Sequence, residues 1–250
     1  MIEPTHCMLP LWRDRDDPQR AETLDILKRD LDVYAAAPIS VKLDGLDASA
    51  ARGVLLDHYR RVLAAPIAAV RDMLQTVEAY DEQERQSIAS ILELLDMHPN
   101  LFNAQCEVGH ITGSALVVDP QNRRALLHKH KKLGRWLQFG GHMDYETDPL
   151  QVALREGFEE SGLPDLRPLV PYAFDIDLHE IPEHKGRPVH LHADMRYLLA
   201  TGQPDRLQAG EGESDEFMWI SLDTLPEAPT PEIEYGVLRM LQKARAHLQG

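Results

Sequence analysis

Apolar positions recur with helical spacing through the first hundred residues and with strand spacing through much of the rest. Within 21–37, Leu24, Leu27, Leu31 and Tyr34 fall three or four residues apart, which predicts an amphipathic helix. A second helical stretch is predicted over 49–79, bent at Pro66. Asp81 followed by Glu84 reads as a capping box opening a third helix, carried by Ile88, Ile91, Leu92 and Leu95 and ended before Pro99-Asn100. No residue pattern in this region carries obvious chemistry. Residues 1–103 are therefore expected to form an N-terminal all-helical domain, a structural or dimerisation element rather than a lid.

After Pro99 the period changes. Residues 110–118 are small and apolar, Asp119-Pro120-Gln121-Asn122 makes a turn, and 125–130 returns as a second strand. A short strand over 136–139 leads into Gly140-Gly141, read as a turn. Further on, Tyr172, Phe174, Ile176 and Leu178 alternate with Asp175, Asp177 and His179, and Val189, Leu191, Ala193, Met195 and Tyr197 alternate with His190, His192, Asp194 and Arg196. Period two predicts two half-buried strands, each with one polar face. An acidic loop over 201–216, a last strand over 217–221 and a closing amphipathic helix over 231–249 complete a second domain, 104–250.

Between these strands lies the stretch GGHMDYETDPLQVALREGFEESGL, residues 140–163. Asp148 is a good N-cap, Pro149 is pre-set for the first helical position, and Gly162 stops the helix. Leu150, Leu154 and Phe158 recur every four residues and are expected to form the buried stripe. Glu156, Glu159 and Glu160 fall at i, i+3 and i+4, so three like charges share a helix face and repel one another. Oxygen ligands so placed suit Mg²⁺ or Mn²⁺, which bind a few carboxylates and take their other ligands from water and phosphate. A solvated acidic face is the plain alternative.

The order of these residues resembles the Nudix box. Gly141, Arg155, Glu156, Glu159, Glu160, Gly162 and Leu163 stand at matching positions. Thr147 replaces the first Glu of the pattern, with Glu146 one residue early, and Gly157 replaces a larger apolar residue. The resemblance implies an α+β Nudix fold, a mixed curved β-sheet sandwiched between helices, here with the helical domain added at the N-terminus. It implies a metal-dependent hydrolase that cleaves the diphosphate linkage of a nucleoside diphosphate joined to another moiety. Metal ligands carried over are Glu156, Glu159, Glu160 and the Gly140 carbonyl. Arg155 would hold a helix carboxylate in place. A general base is expected from the loop holding Glu211, Glu213, Asp215 and Glu216, with Glu213 preferred.

Charge and composition narrow the partners. A net charge of −15 over 250 residues argues against binding nucleic acid or anionic membranes. No apolar run reaches transmembrane length, the start lacks signal-peptide features, and Cys7 and Cys106 have no zinc-ligand spacing, so a cytoplasmic protein is expected, with a homodimer as the assembly. A basic run, Arg123, Arg124, Lys129, Lys131, Lys132 and Arg135, precedes the glycines, and Lys132, Arg135 and His142 are candidates for substrate phosphate. His110, His128, His130, His142, His190 and His192 all lie in or beside strands, and several converging would ligate a second, softer metal or bind phosphate. In this the chain is similar to the isopentenyl-diphosphate isomerases, which share the fold, with His110 and His142 similarly placed, although Gly140 stands where those enzymes carry a reactive Cys. A nucleotide sensor that binds without cutting is the third reading, favoured by Thr147 and disfavoured by the retained glutamates.

Overall fold

A computed structural model describes residues 54, 64–98, 100–131, 133–144, 146–184, 186–210 and 214–249. The helix expected over 21–37 and the start of the one expected over 49–79 lie outside them. Two described helices come first, α1 (Ala64–Thr76) and α2 (Glu82–Met97). A variant of the capping box forms at α2: Asp81 accepts from the Glu84 amide at 2.7 Å, and the Glu84 carboxylate accepts at 2.7 Å from the amide of Tyr80, one residue before the cap.

The strands are β1 (Gly109–Asp119), β2 (Arg124–Lys129), β3 (Trp136–Leu137), β4 (Phe139–His142), β5 (Arg167–Pro168), β6 (Asp175–Ile181), β7 (His190–Ala200) and β8 (Phe217–Ser221). They form one mixed sheet of order β3-β2-β1-β7-β5, with β4 paired to β1, β6 to β7 and β8 to β2. At its centre β1 and β7 run parallel over ten residue pairs, from Gly109↔Leu191 to Val118↔Ala200. Every residue of β1 is buried. That requires cover on both faces.

Helix α3 (Pro149–Ser161) covers one face and α4 (Tyr235–His247) the other. On the α3 side, Ile111, Ala115, Val117, Met195 and Tyr197 share a core with Val152 and Ala153, and also with Val70, Leu74, Ile91, Leu94 and Leu95 of α1 and α2. The described N-terminal helices are thus packed into the core of the sheet. On the α4 side, Leu116, Val118, Leu198 and Ala200 meet Val237, Leu238 and Leu241. The architecture is the expected α+β sandwich.

Three expectations change in detail. Gly140 and Gly141 are strand residues, paired with Ser114 and Gly113 of β1, and the turn comes after His142, with Asp144 at φ 41°. The buried side of α3 is Pro149, Val152, Ala153, Gly157 and Ser161, while Leu150 and Leu154 are half-buried and Phe158 is 54% exposed. Small residues win because the helix lies very close to β1: a Cβ at Gly113 would stand 2.3 Å from the Pro149 carbonyl oxygen, so only glycine fits under the first turn. Lastly, the polar faces expected on β6 and β7 are buried. Asp175, Asp177, Asp194 and Arg196 are covered by α4, whose Arg239 is fully buried among them. The covering helix supplies the cation, so the alternation that looked half-solvated is satisfied inside.

Candidate active site

Asp148 caps α3 by accepting from the Leu150 amide at 3.0 Å, and Gly162 ends it in the left-handed conformation, φ 65°. Those two stops fix which residues project at the sheet edge. Glu156 lies against β4: a Cβ on Gly141 would sit 2.0 Å from its Oε1, so the bare glycine backbone is what admits the carboxylate. Its side chain is only 14% exposed. Burial pushes the Glu156 carboxyl up, opposed by Arg155 and reinforced by Glu159 and Asp144.

Arg155 ties the surroundings together. Its Nε donates to Glu146 Oε1 at 2.8 Å, Nη1 to Glu156 at 2.7 Å and Glu159 at 3.3 Å, and Nη2 to the His142 carbonyl at 3.0 Å. Asp144 lies 3.7 Å away. Burial works against the Arg155 charge, but hydrogen bonds and attraction from Glu146 and Glu156 outweigh it and hold the guanidinium protonated. Glu146 therefore reaches the arginine despite its one-residue offset from the expected position. The one signal in the sequence was its adjacency to Thr147.

Glu160 projects to the β2 side of the helix, 12% exposed, with its Oε2 3.8 Å from His128 Nδ1. Burial lowers the His128 pKa to about 4, with His130 adding to the effect, so the ring is neutral at pH 7. Glu159 is 55% exposed. Glu156 and Glu159 thus share a single arginine with Glu146, while Glu160 sits beside the neutral ring of His128. Hard oxygen donors, with Glu146, Glu156 and Glu159 all on one arginine among the described residues, fit a divalent cation of the Mg²⁺ or Mn²⁺ type.

The remaining candidates divide. Glu211, Glu213 and Lys132 lie outside the described residues. Both flanks of 211–213 are anchored beside the box helix: the Gln208 amide donates to the Ser161 carbonyl at 2.8 Å, and the Ser214 hydroxyl to the Lys129 carbonyl at 2.7 Å. Glu216 pairs with Lys129 at 3.8 Å. Arg135 is ion-paired with Glu234, and Arg123 and Arg124 with Asp223 and Asp119. Much of the basic run is thereby spent within the fold. The ring of His142 sits on the opposite sheet face from α3, against His110.

A sequence model of the NUDIX domain matches residues 110–241, more than half of the chain. The chain belongs to the Nudix family. Among curated relatives, the probable DHNTP pyrophosphohydrolase of Lactococcus lactis subsp. cremoris (strain MG1363) is 28% identical over 158 residues, 62% of this chain and 89% of that one. Among solved structures, a NUDIX-family hydrolase from Clostridium perfringens is 27% identical, covering 56% of this chain and 97% of that one at a TM-score of 0.43. An Ap4A hydrolase of C. elegans in a binary complex is 20% identical, covering 56% and 98% at a TM-score of 0.43. As a Nudix enzyme the chain is a pyrophosphohydrolase.

Proposed function

We propose that this Nudix enzyme is a metal-dependent hydrolase that cleaves the diphosphate linkage of a nucleoside diphosphate joined to another moiety. The observation that carries the reading is the pairing of Glu156, pressed against the bare backbone of Gly141, with Glu160, buried beside His128, on one helix with Glu159 and one shared arginine. Glu156, Glu159, Glu160 and the Gly140 carbonyl would hold Mg²⁺ or Mn²⁺. When bound, such an ion neutralises phosphate charge and makes a water nucleophilic near pH 7.

The chain's own residues do the rest. Arg155 fixes the direction of Glu156 and Glu159 and ties them to the strand end through the His142 carbonyl. The 211–216 loop supplies the general base, with Glu213 preferred and Asp215 and Glu216 behind it; its anchors on Ser161 and Lys129 support that placement. Lys132 and Arg135 are assigned to substrate phosphate, Arg135 only by releasing Glu234, whereas the His142 ring faces away from α3. Residues 104–250 form the catalytic domain, and the helices of 1–103 support it. We take the enzyme to be cytoplasmic, to act on a small molecule rather than nucleic acid or membrane, and to assemble as a homodimer. The contact of Glu146 with Arg155 removes the motive for a non-catalytic sensor.

The test is a panel of DHNTP, ADP-ribose, dinucleoside polyphosphates, nucleotide sugars and nucleoside triphosphates, incubated with Mg²⁺ or Mn²⁺ and analysed by mass. The expected outcome is cleavage of one class, reduced at least about a hundredfold in Glu160→Gln. Cleavage that is unchanged in Glu160→Gln, or that needs no divalent ion, overturns the reading.

A further inference from the structure

The sheet face under α4 changes chemistry along its length. It is apolar at Leu116, Val118 and Leu198, ionic at Asp194 and Arg196, and beyond them it is imidazole: His110 of β1, His190 and His192 of β7, and His142 at the end of β4. The ring centroid of His110 lies 4.5 Å from that of His192, 4.8 Å from His142 and 5.3 Å from His190. His110, His190 and His192 each present a ring nitrogen within 4.8 Å of the other two. The centre of such a triangle is at most about 2.8 Å from each nitrogen, so a closure of under about 1 Å reaches the 2.0–2.1 Å of a Zn–N bond.

Two further features point to a ligand. His110 is fully buried, and its Nε2 meets no hydrogen-bond partner, a cost that a bound group would remove. His190 donates from Nδ1 to the Pro188 carbonyl at 2.9 Å, which leaves its Nε2 lone pair free in the arrangement that metal-bound imidazoles use. Imidazole ligates in its neutral form. Neutral nitrogen donors favour a zinc-type transition ion over Mg²⁺, which prefers oxygen.

Arg187 opposes an ion at this place. Its Nη2 lies 3.1 Å from His110 Nδ1, and a guanidinium only donates, so His110 carries its proton on Nε2. An ion taking Nε2 requires that proton to move to Nδ1, where Arg187 no longer has an acceptor. We propose that His110, His190 and His192 form a transition-metal site separate from the box helix, and that Arg187 occupies His110 in the metal-free protein and withdraws when the ion binds. The fourth ligand position falls to water or to His142, whose main-chain carbonyl accepts from Arg155. An ion here would brace the strand end from which the box arginine hangs.

The probe is Co²⁺ added to the chelator-stripped full chain, followed by the visible absorption of tetrahedral cobalt and by calorimetry. One equivalent of tetrahedral cobalt is expected in the wild type and in Glu160→Gln, apart from any octahedral ion on the box helix. In His190→Asn, binding should weaken by more than about a hundredfold, beyond what loss of a mere supporting partner costs. In Arg187→Gln it should tighten by about tenfold as a nearby positive charge is removed. Circular dichroism checks that each variant folds, and the Arg187→Gln arm decides alone if His190→Asn does not. The proposal fails if folded wild type gives no tetrahedral absorption, or if the signal is lost in Glu160→Gln and kept in His190→Asn. It fails equally if Arg187→Gln binds cobalt more weakly, or if inorganic phosphate binds in place of cobalt.

Discussion

The two faces of the central β1–β7 pair each carry a cluster of charges, and the two clusters are balanced differently. Under α4, Asp175, Asp177 and Asp194 meet Arg196 and Arg239, with Lys243 joining Asp175 to Glu84. Contacts run from 2.7 to 3.7 Å, and with Asp81 beside Arg239 five carboxylates face three cations among the described residues. Under α3, Arg155 is the one cation among the described residues that pairs with Asp144, Glu146, Glu156 and Glu159. A buried network whose charges are more nearly matched is a structural joint, whereas one that crowds four carboxylates on a single cation is built to receive another. Burial depth alone would have ranked the wrong face first.

The sharpest way to break the comparison is to unbalance the matched face. Arg239→Ala leaves Asp175 and Asp177 buried with one partner fewer, and a loss of about 3–5 kcal/mol in urea-induced unfolding is expected. A loss under about 1 kcal/mol would mean that water or Lys243 replaces the guanidinium and that the face is not a rigid joint.

On the unmatched face the effects should fall on activity and leave stability nearly untouched. Gly141→Ala puts a methyl where Glu156 Oε1 now lies, and the carboxylate, being the end of a flexible side chain, moves aside. We expect turnover to fall by about a hundredfold, as for a misplacement of about 1 Å in a catalytic group, with the melting temperature little changed. Unaltered turnover would show that the approach of Glu156 to β4 has no part in the reaction. A smaller effect should separate two neighbours: Glu146→Gln, which weakens the Arg155 clamp, is expected to cost about tenfold in kcat/KM, and Thr147→Ala nothing measurable. The reverse ranking would return the missing role to Thr147.

Much of this was legible in the residues, for local reasons. Asp148-Pro149 and Gly162 set the limits of α3 because capping needs only neighbours in sequence, and the strand over 217–221 followed from its apolar run. Phe158 was misread because helical spacing names faces without saying which one meets the sheet, and that is decided by Gly113 and Ala153 allowing close approach. The ionic core was misread because alternation along β6 and β7 cannot reveal that Arg239 closes over Asp175 and Asp177, which lie over sixty residues before it in sequence. Glu146 was visible but unassigned, since an offset of one residue is absorbed by a loop whose length the pattern does not fix.

The parallel pairing of β1 with β7 has a consequence for how the chain reaches its fold. The two strands at the heart of the sheet stand about eighty residues apart, and no hairpin can bring them together early. Loop closure over that distance comes late and slowly. Until residue 200 has left the ribosome, the apolar run of β1 has no central partner. A nascent chain in that state offers an open strand to other chains, so its yield in the cell should depend on how well chaperones shield those eleven residues.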